Sequence, residues 1–446
     1  MSFQEVIKSK LSIFILIALL VRVLLVVYSS PSLYEHNDSY LHRDWGRVAF
    51  LYGPAETYQK EHISNVGIVN NLPPGATYMF GSMYYLHVQA SKVVNIILQR
   101  EPGQVLWMND GTFANMFLRL PAVFADLMIG GLIYLMVLKK QKKNALLAAS
   151  LYLFNPAVIY NSAMWGQIDA VPLMFFMLSL YFFSRKQYFG SMLSVVLSLF
   201  VKLSLLPLLP IYGIILLTQV PIKKLLWYSL IILGIIQVVV LPISKEPHLW
   251  LLQFLSKNST NVLDNITANA YNFWWLVIAP KLLVPAITVG EKVFFATYGF
   301  WGYALYMLLM IPLAVIVWIR RKSEQLSGEF LTGLFAVVSI VYFLFLPSMH
   351  ERYLITFFPF MAAYVGFKKE TLKLYLALTV AYTINIVSVW QYKVPEAEIR
   401  ANPVLTNRLF SWILSLMVTF AGLYFYTRFV RQYLSKYSKQ KEHSST

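Results

Sequence analysis

The chain has 446 residues, a net charge of +17 and no cysteine; 58% of its residues are hydrophobic, 16% aromatic and 13% charged, and the mean hydropathy is +0.60. Soluble domains carry roughly 25% charged residues, so this composition excludes a soluble globular protein, and the missing cysteine excludes a disulfide framework, a thiolate nucleophile and a Cys-ligated metal. The positive charge lies in short connectors between apolar runs, which argues against nucleic acid as a partner and for membrane lipids.

Helices need apolar stretches of roughly 17–25 residues to cross a bilayer. The first, near 11–28, has no small-residue cleavage site after it and reads as a retained anchor rather than a signal peptide. Residues 29–115 then form a long outside loop with the acids Glu35, Asp38, Asp44, Glu56, Glu61, Glu101 and Asp110. Within this loop, Met79 to Leu98 predicts an amphipathic helix lying along the interface. Spans follow near 117–138, 145–162 and 169–184, the last two joined by Trp165-Gly166-Gln167-Ile168-Asp169. The piece from Gln187 to Leu217 has basic residues beyond both ends, which predicts a hairpin of two short helices turning near Lys202. Broken helices at membrane depth are tolerated only beside a protein-lined or wet cavity.

A span near 225–243 leads into a second outside loop, 244–299, whose Asn269-Ala270-Tyr271-Asn272-Phe273-Trp274-Trp275 segment suits the headgroup belt. Spans near 300–319, 328–346, 353–367, 372–389 and 409–427 complete the bundle, with an outside loop at 391–408 and a basic tail at 428–446. The inside connectors carry Lys139-Lys140-Gln141-Lys142-Lys143, Arg185-Lys186, Lys223-Lys224, Arg320-Arg321-Lys322 and Lys368-Lys369. The expectation is an all-α, polytopic membrane bundle of about twelve spans, some short or broken, with both termini inside. It forms one integral-membrane domain over 1–446. Compact loops and the lack of a retention-like tail point to a bacterial plasma membrane.

Three polar clusters sit where apolar runs end, all on the predicted outer face. Asp38 and Asp44 stand near the membrane among Tyr40 and Trp45; each is a solvated loop acid or a general base toward a hydroxyl. In the second cluster, Gly166 permits a tight bend and Asp169 caps the next helix, or Gln167 and Asp169 bind sugar hydroxyls while Trp165 stacks on a sugar face. The third is Met349-His350-Glu351-Arg352-Tyr353. Here Glu351 and Arg352 form an interfacial pair, or Arg352 gives a fork to phosphate with His350 as a further donor. Charges also fall inside spans: Arg22, Arg119, Asp126 and Lys202. They are functional suspects by default, and Lys202 is placed to reach a phosphate. There is no P-loop and no dinucleotide fingerprint, so an activated substrate is lipid-borne rather than nucleotide-bound.

These residues resemble the GT-C superfamily of membrane glycosyltransferases, most nearly bacterial proteins related to the second mannosyltransferase of GPI-anchor synthesis. The resemblance rests on the acidic loop leading to Asp44-Trp45, Asn71-Leu72-Pro73-Pro74-Gly75 with Tyr78, Gly166-Gln167-Ile168-Asp169, His350-Glu351-Arg352-Tyr353 and, more weakly, Asn269-Ala270-Tyr271-Asn272. It implies inverting transfer of a hexose, with mannose favoured, from a polyprenyl-phosphate donor at the outer face to a glycan, lipid or protein acceptor. It also implies a general base at Asp38, with Asp44 the runner-up, and Trp165, Gln167, Asp169, Lys202, Asn269, His350, Glu351 and Arg352 around the substrates. Many members pair two acids in the first loop, whereas Tyr40 stands two residues after Asp38 here, and Asn71 replaces an acid before the Pro-Pro-Gly. Both departures weaken the case for a divalent metal. Two other readings are a transporter or flippase of a lipid-linked sugar, and a polymerase or ligase using a pyrophosphate-linked donor.

Overall fold

A computed structural model describes residues 10–31, 37–64, 67–101, 111–260, 264–278, 287–322, 326–394, 398 and 407–445. Glu35, Asp110 and most of the 391–408 loop lie outside the described residues, as do the side chains of the tail beyond 435. The chain is a polytopic helical membrane protein. Among the described residues, seven helices are long and apolar enough to cross a membrane, and shorter apolar helices lie between them.

The first half runs α1 (Lys10–Ser29), α2 (Asn37–Leu51), α3 (Pro74–Leu98), α4 (Thr112–Leu138), α5 (Lys142–Leu153), α6 (Ala170–Ser184), α7 (Tyr188–Val201), α8 (Leu209–Gln219) and α9 (Ile222–Val240). The second half runs α10 (Pro247–Thr260), α11 (Tyr298–Ile319), α12 (Gly328–Phe345), α13 (Phe357–Phe367), α14 (Leu372–Val389) and α15 (Arg408–Ser445). Two small sheets join the second half. Strand β1 (Thr267–Ala268) pairs in parallel with β4 (Met349–His350), and β2 (Lys292–Val293) pairs antiparallel with β3 (Ala296–Thr297).

Burial follows composition. α12 is apolar around its whole circumference, the pattern of a helix enclosed by protein, and it is 89% buried. Its start is fixed by Ser327, whose Oγ accepts the Phe330 N–H at 3.2 Å. Gly333 and Gly422 let neighbours close on it: a Cβ at Gly333 would meet Tyr364 and Phe429, and one at Gly422 would meet Leu344 and Ile340. By contrast α9 is only 6% buried and turns Leu226, Leu230, Leu233 and Val238 outward, as a lipid-facing helix does.

Two expected spans are interrupted. The 145–162 stretch breaks after Leu153, because Asn155 caps a new turn by accepting from Ala157 and Val158 N–H, with Pro156 following. The chain then passes through a π turn, Tyr160–Trp165. The 353–367 stretch begins as a 3₁₀ turn, Glu351–Thr356, so α13 is short. The Gln187–Leu217 piece doubles back at Lys202 as expected: α7 ends there, the chain extends, and a 3₁₀ turn (Leu203–Leu208) leads into α8. A 2.8 Å hydrogen bond between Ser191 and Tyr212 joins its two arms.

Candidate active site

Four segments converge at one end of the bundle. The first is the start of α2. Asp38 lies in its first turn, where the helix dipole favours a carboxylate. Ser39 Oγ, next to it, donates to the Trp165 carbonyl at 3.1 Å and ties α2 to the second segment.

That segment is the turn after Trp165. Gly166 adopts φ +81°, and a Cβ there would lie 2.9 Å from Arg119 Nε and 3.1 Å from Ser39 Oγ. Only glycine meets both conditions. The bend aims Gln167 at α2, and its Nε2 donates to Asp38 Oδ2 at 2.7 Å. Asp169 follows and pairs with the third segment, the break between α7 and α8, where Lys202 Nζ lies 2.5 Å from its Oδ1.

The fourth segment is β4 and the 3₁₀ turn after it. Asn269, in a left-handed conformation (φ +55°), bridges to His350. Tyr382 and Tyr342 hydroxyls donate to the Arg352 and Tyr353 carbonyls at 2.9 and 3.1 Å. The turn so held places Arg352 between two carboxylates, with Nη2 3.6 Å from Asp38 Oδ2 and Nη1 3.3 Å from Glu351 Oε1. Arg352 Nε is buried and makes no hydrogen bond. Arg352 thus ion-pairs with both carboxylates through its Nη atoms and keeps Nε for a further acceptor, such as a phosphate oxygen.

Burial, aided by the Arg352 charge, holds His350 below the usual imidazole range. Burial alone would raise Glu351, but the His350 hydrogen bond and Arg352 outweigh it and hold the carboxylate below its usual range. Glu351 thus stays ionised beside the Arg352 cation. Beside the site is a cavity of about 380 Å³ whose polar wall includes Asn71, Lys202, Ser348 and Tyr353 and whose apolar wall includes Leu206 and Leu346.

Not every expected residue joins the cluster in the expected way. Asp44 is buried, and both its oxygens are engaged: Oδ1 by Arg47 Nε and Nη2 at 3.1 and 2.9 Å, Oδ2 by the Ser64 N–H at 2.9 Å. It pins the loop beyond α2. Trp165 is 1% exposed and stacked beside Trp390, so it holds the turn in place and offers no open face to a sugar. Asp169, expected on sugar hydroxyls, spends Oδ1 on Lys202. Asn269 keeps an exposed side chain beside His350.

His42 was not expected. It lies one helical turn after Asp38, on the same face, and stacks on Phe80 with ring centroids 4.5 Å apart. Burial pushes its imidazole down to about 4. The Asp38–His42 spacing was the signal available for it. Glu56, Glu61 and His62 are the one group among the described residues whose acid and imidazole atoms come close enough to hold a metal, within 4.8 Å of one another. It shares no residue with the Asp38 cluster.

No protein-family model matches this chain, and no curated protein matches it. Among solved structures it is similar to ArnT from Cupriavidus metallidurans in the apo state, with a TM-score of 0.47, 15% identity, and coverage of 96% of this chain and 76% of that one. The same protein bound to undecaprenyl phosphate gives a TM-score of 0.47 and 14% identity, covering 95% of this chain and 77% of that one.

Proposed function

We propose that this protein is a membrane glycosyltransferase that moves a hexose, mannose favoured, from a polyprenyl-phosphate donor to an acceptor hydroxyl at the outer face of a bacterial plasma membrane. The observation that carries the reading is the partly buried Arg352 fork, with its Nε buried and unused, next to the Asp38 carboxylate. A donor phosphate needs the first of these groups and an acceptor hydroxyl the second, and in this reading their 3.6 Å ion pair opens as donor and acceptor enter between them.

In this mechanism the donor phosphate settles on the Nε–Nη2 edge of Arg352, with Lys202 and His350 close by. The acceptor oxygen approaches the anomeric carbon from the opposite side, and Asp38 takes its proton as the new C–O bond forms. The bond from the anomeric carbon to the phosphate oxygen breaks, and polyprenyl phosphate leaves with the electron pair. Its developing charge needs neutralisation more than a proton, which cations in a buried site supply. The carbon passes through an oxocarbenium-like state with inversion. Gln167, by donating to Asp38, orients the carboxylate. Asp38 rather than Asp44 is the base because both oxygens of Asp44 already hold the loop. The apolar wall of the cavity takes the first part of the lipid tail.

The transporter alternative rests on charges inside the spans and on short helices. Those charges have internal partners: Arg22 pairs with Asp126 at 3.1 Å, and Arg119 donates to Ser29 and Ser30 hydroxyls at 2.6 and 3.2 Å.

The test is transfer from a labelled polyprenyl-phosphate sugar by purified protein. Asp38→Asn should lower kcat about 10²- to 10⁴-fold, the usual worth of a general base; undiminished transfer would remove Asp38 from this role. Arg352→Lys keeps the charge and loses the planar fork, so it should weaken donor use while the protein stays folded. Wild-type kinetics from that variant would overturn the phosphate assignment.

A further inference from the structure

A second cavity, of about 560 Å³, lies at the opposite end of the bundle, where α4 and α6 finish. Its wall is built from two separate pieces of chain. The last turn of α4 supplies Leu135 and Met136, and Lys139 follows it; the turn between α6 and α7 supplies Arg185 and Lys186. No acid lines it. The turn is closed by backbone bonds from Arg185 and Gln187 to the Phe182 carbonyl and from Lys186 to the Phe183 carbonyl. Lys186 takes a left-handed conformation, φ +60°, uncommon for a side chain of this size. The Arg185 guanidinium lies over the Tyr181 ring, 4.5 Å from its centroid, so the aromatic face steadies the cation without using its donors.

We propose that this cavity binds the headgroup of an anionic phospholipid. Three cations from two elements surround a polar opening, and no carboxylate neutralises them from its wall. The floor is apolar, at Leu135 and Met136. The cavity lies at membrane-surface depth, because the apolar part of α4 ends at Leu138 and that of α6 at Ser184. A phosphate takes the cations, and the glycerol and upper acyl carbons take the floor. A soluble anion would use the first feature and leave the second unfilled. The lipid clamps the turn of α6 onto the end of α4. At their other ends, α6 and α7 carry Asp169 and Lys202, roughly 22 Å away along α6.

The site is tested on the full chain by native mass spectrometry from micelles doped with phosphatidylglycerol or phosphatidylcholine. Wild type should retain one phosphatidylglycerol in preference to phosphatidylcholine. Each charge removed should weaken retention roughly fivefold, and the triple variant Lys139→Gln, Arg185→Gln, Lys186→Gln on the order of 100-fold. The single variant Arg185→Gln gives the same readout should the triple variant prove unstable. A control triple variant at Lys368, Lys369 and Arg428 should retain the lipid. Equal loss in both triple variants would overturn the proposal in favour of diffuse attraction. Equal retention of phosphatidylcholine, or displacement by inorganic phosphate alone, would also overturn it. The outcome does not depend on the transferase reading.

Discussion

Asp38 and Asp44 look alike in the sequence and differ in the folded protein through what occupies their oxygens. Asp44 is spent on Arg47 and the Ser64 amide, while Asp38 meets Gln167 and stands 3.6 Å from Arg352. One turn further on, His42 adds a pH dependence. An unfolded chain takes a proton on this imidazole near its ordinary 6.5, the native chain only near 4. Between those values acid favours the unfolded state, so this stabilisation is complete above pH 6.5 and declines as pH falls toward 4. The loss reaches about 3 kcal/mol at most. Thermal unfolding of His42→Phe, which keeps the stack on Phe80, should therefore fall less steeply with acidification than that of wild type. Parallel curves would show that His42 does not titrate this way. The burial of His42 is not legible in the sequence, because a lone histidine between apolar runs carries no mark of it. The burial of Trp165 was not legible for the related reason that its neighbour Trp390 is distant in the chain.

At the scale of elements, the sequence announced where helices end better than how they are held. Hydropathy found α1, α4, α11, α12 and α14, and the basic residues flanking Gln187–Leu217 revealed the hairpin at Lys202. The interruption at Asn155-Pro156 was written in residues that break and restart helices, but an apolar window averages across it. The partners of intramembrane charges were not legible, since they depend on which helices touch. Arg22 on α1 meets Asp126 on α4, and Asp126 also accepts from Tyr152 and Ser162 at 2.9 and 2.6 Å. Removing one member of such a buried pair strands the other charge and costs about 3–5 kcal/mol. Asp126→Leu should lose that much in a denaturation series, and Arg22→Met with Asp126→Leu should recover most of it. Additive losses would mean that the two residues act independently.

For the whole molecule, the arrangement predicts sidedness: the Asp38 cluster at one membrane face, the basic connectors at the other. With no native cysteine, single substitutions report it cleanly. An impermeant thiol reagent should label Lys60→Cys in intact cells and Lys140→Cys only after permeabilisation; the reverse pattern would invert the proposed orientation. The enclosure of α12 has a further consequence, for biogenesis. This helix leaves the ribosome before the segments that cover it, α13 and α15, have been made. Until then its glycine-notched flank at Gly333 must rest against lipid or an insertion chaperone, since Tyr364 and Phe429 belong to chain still to come. The last face of α12 therefore closes only when the final helix, α15, has been made.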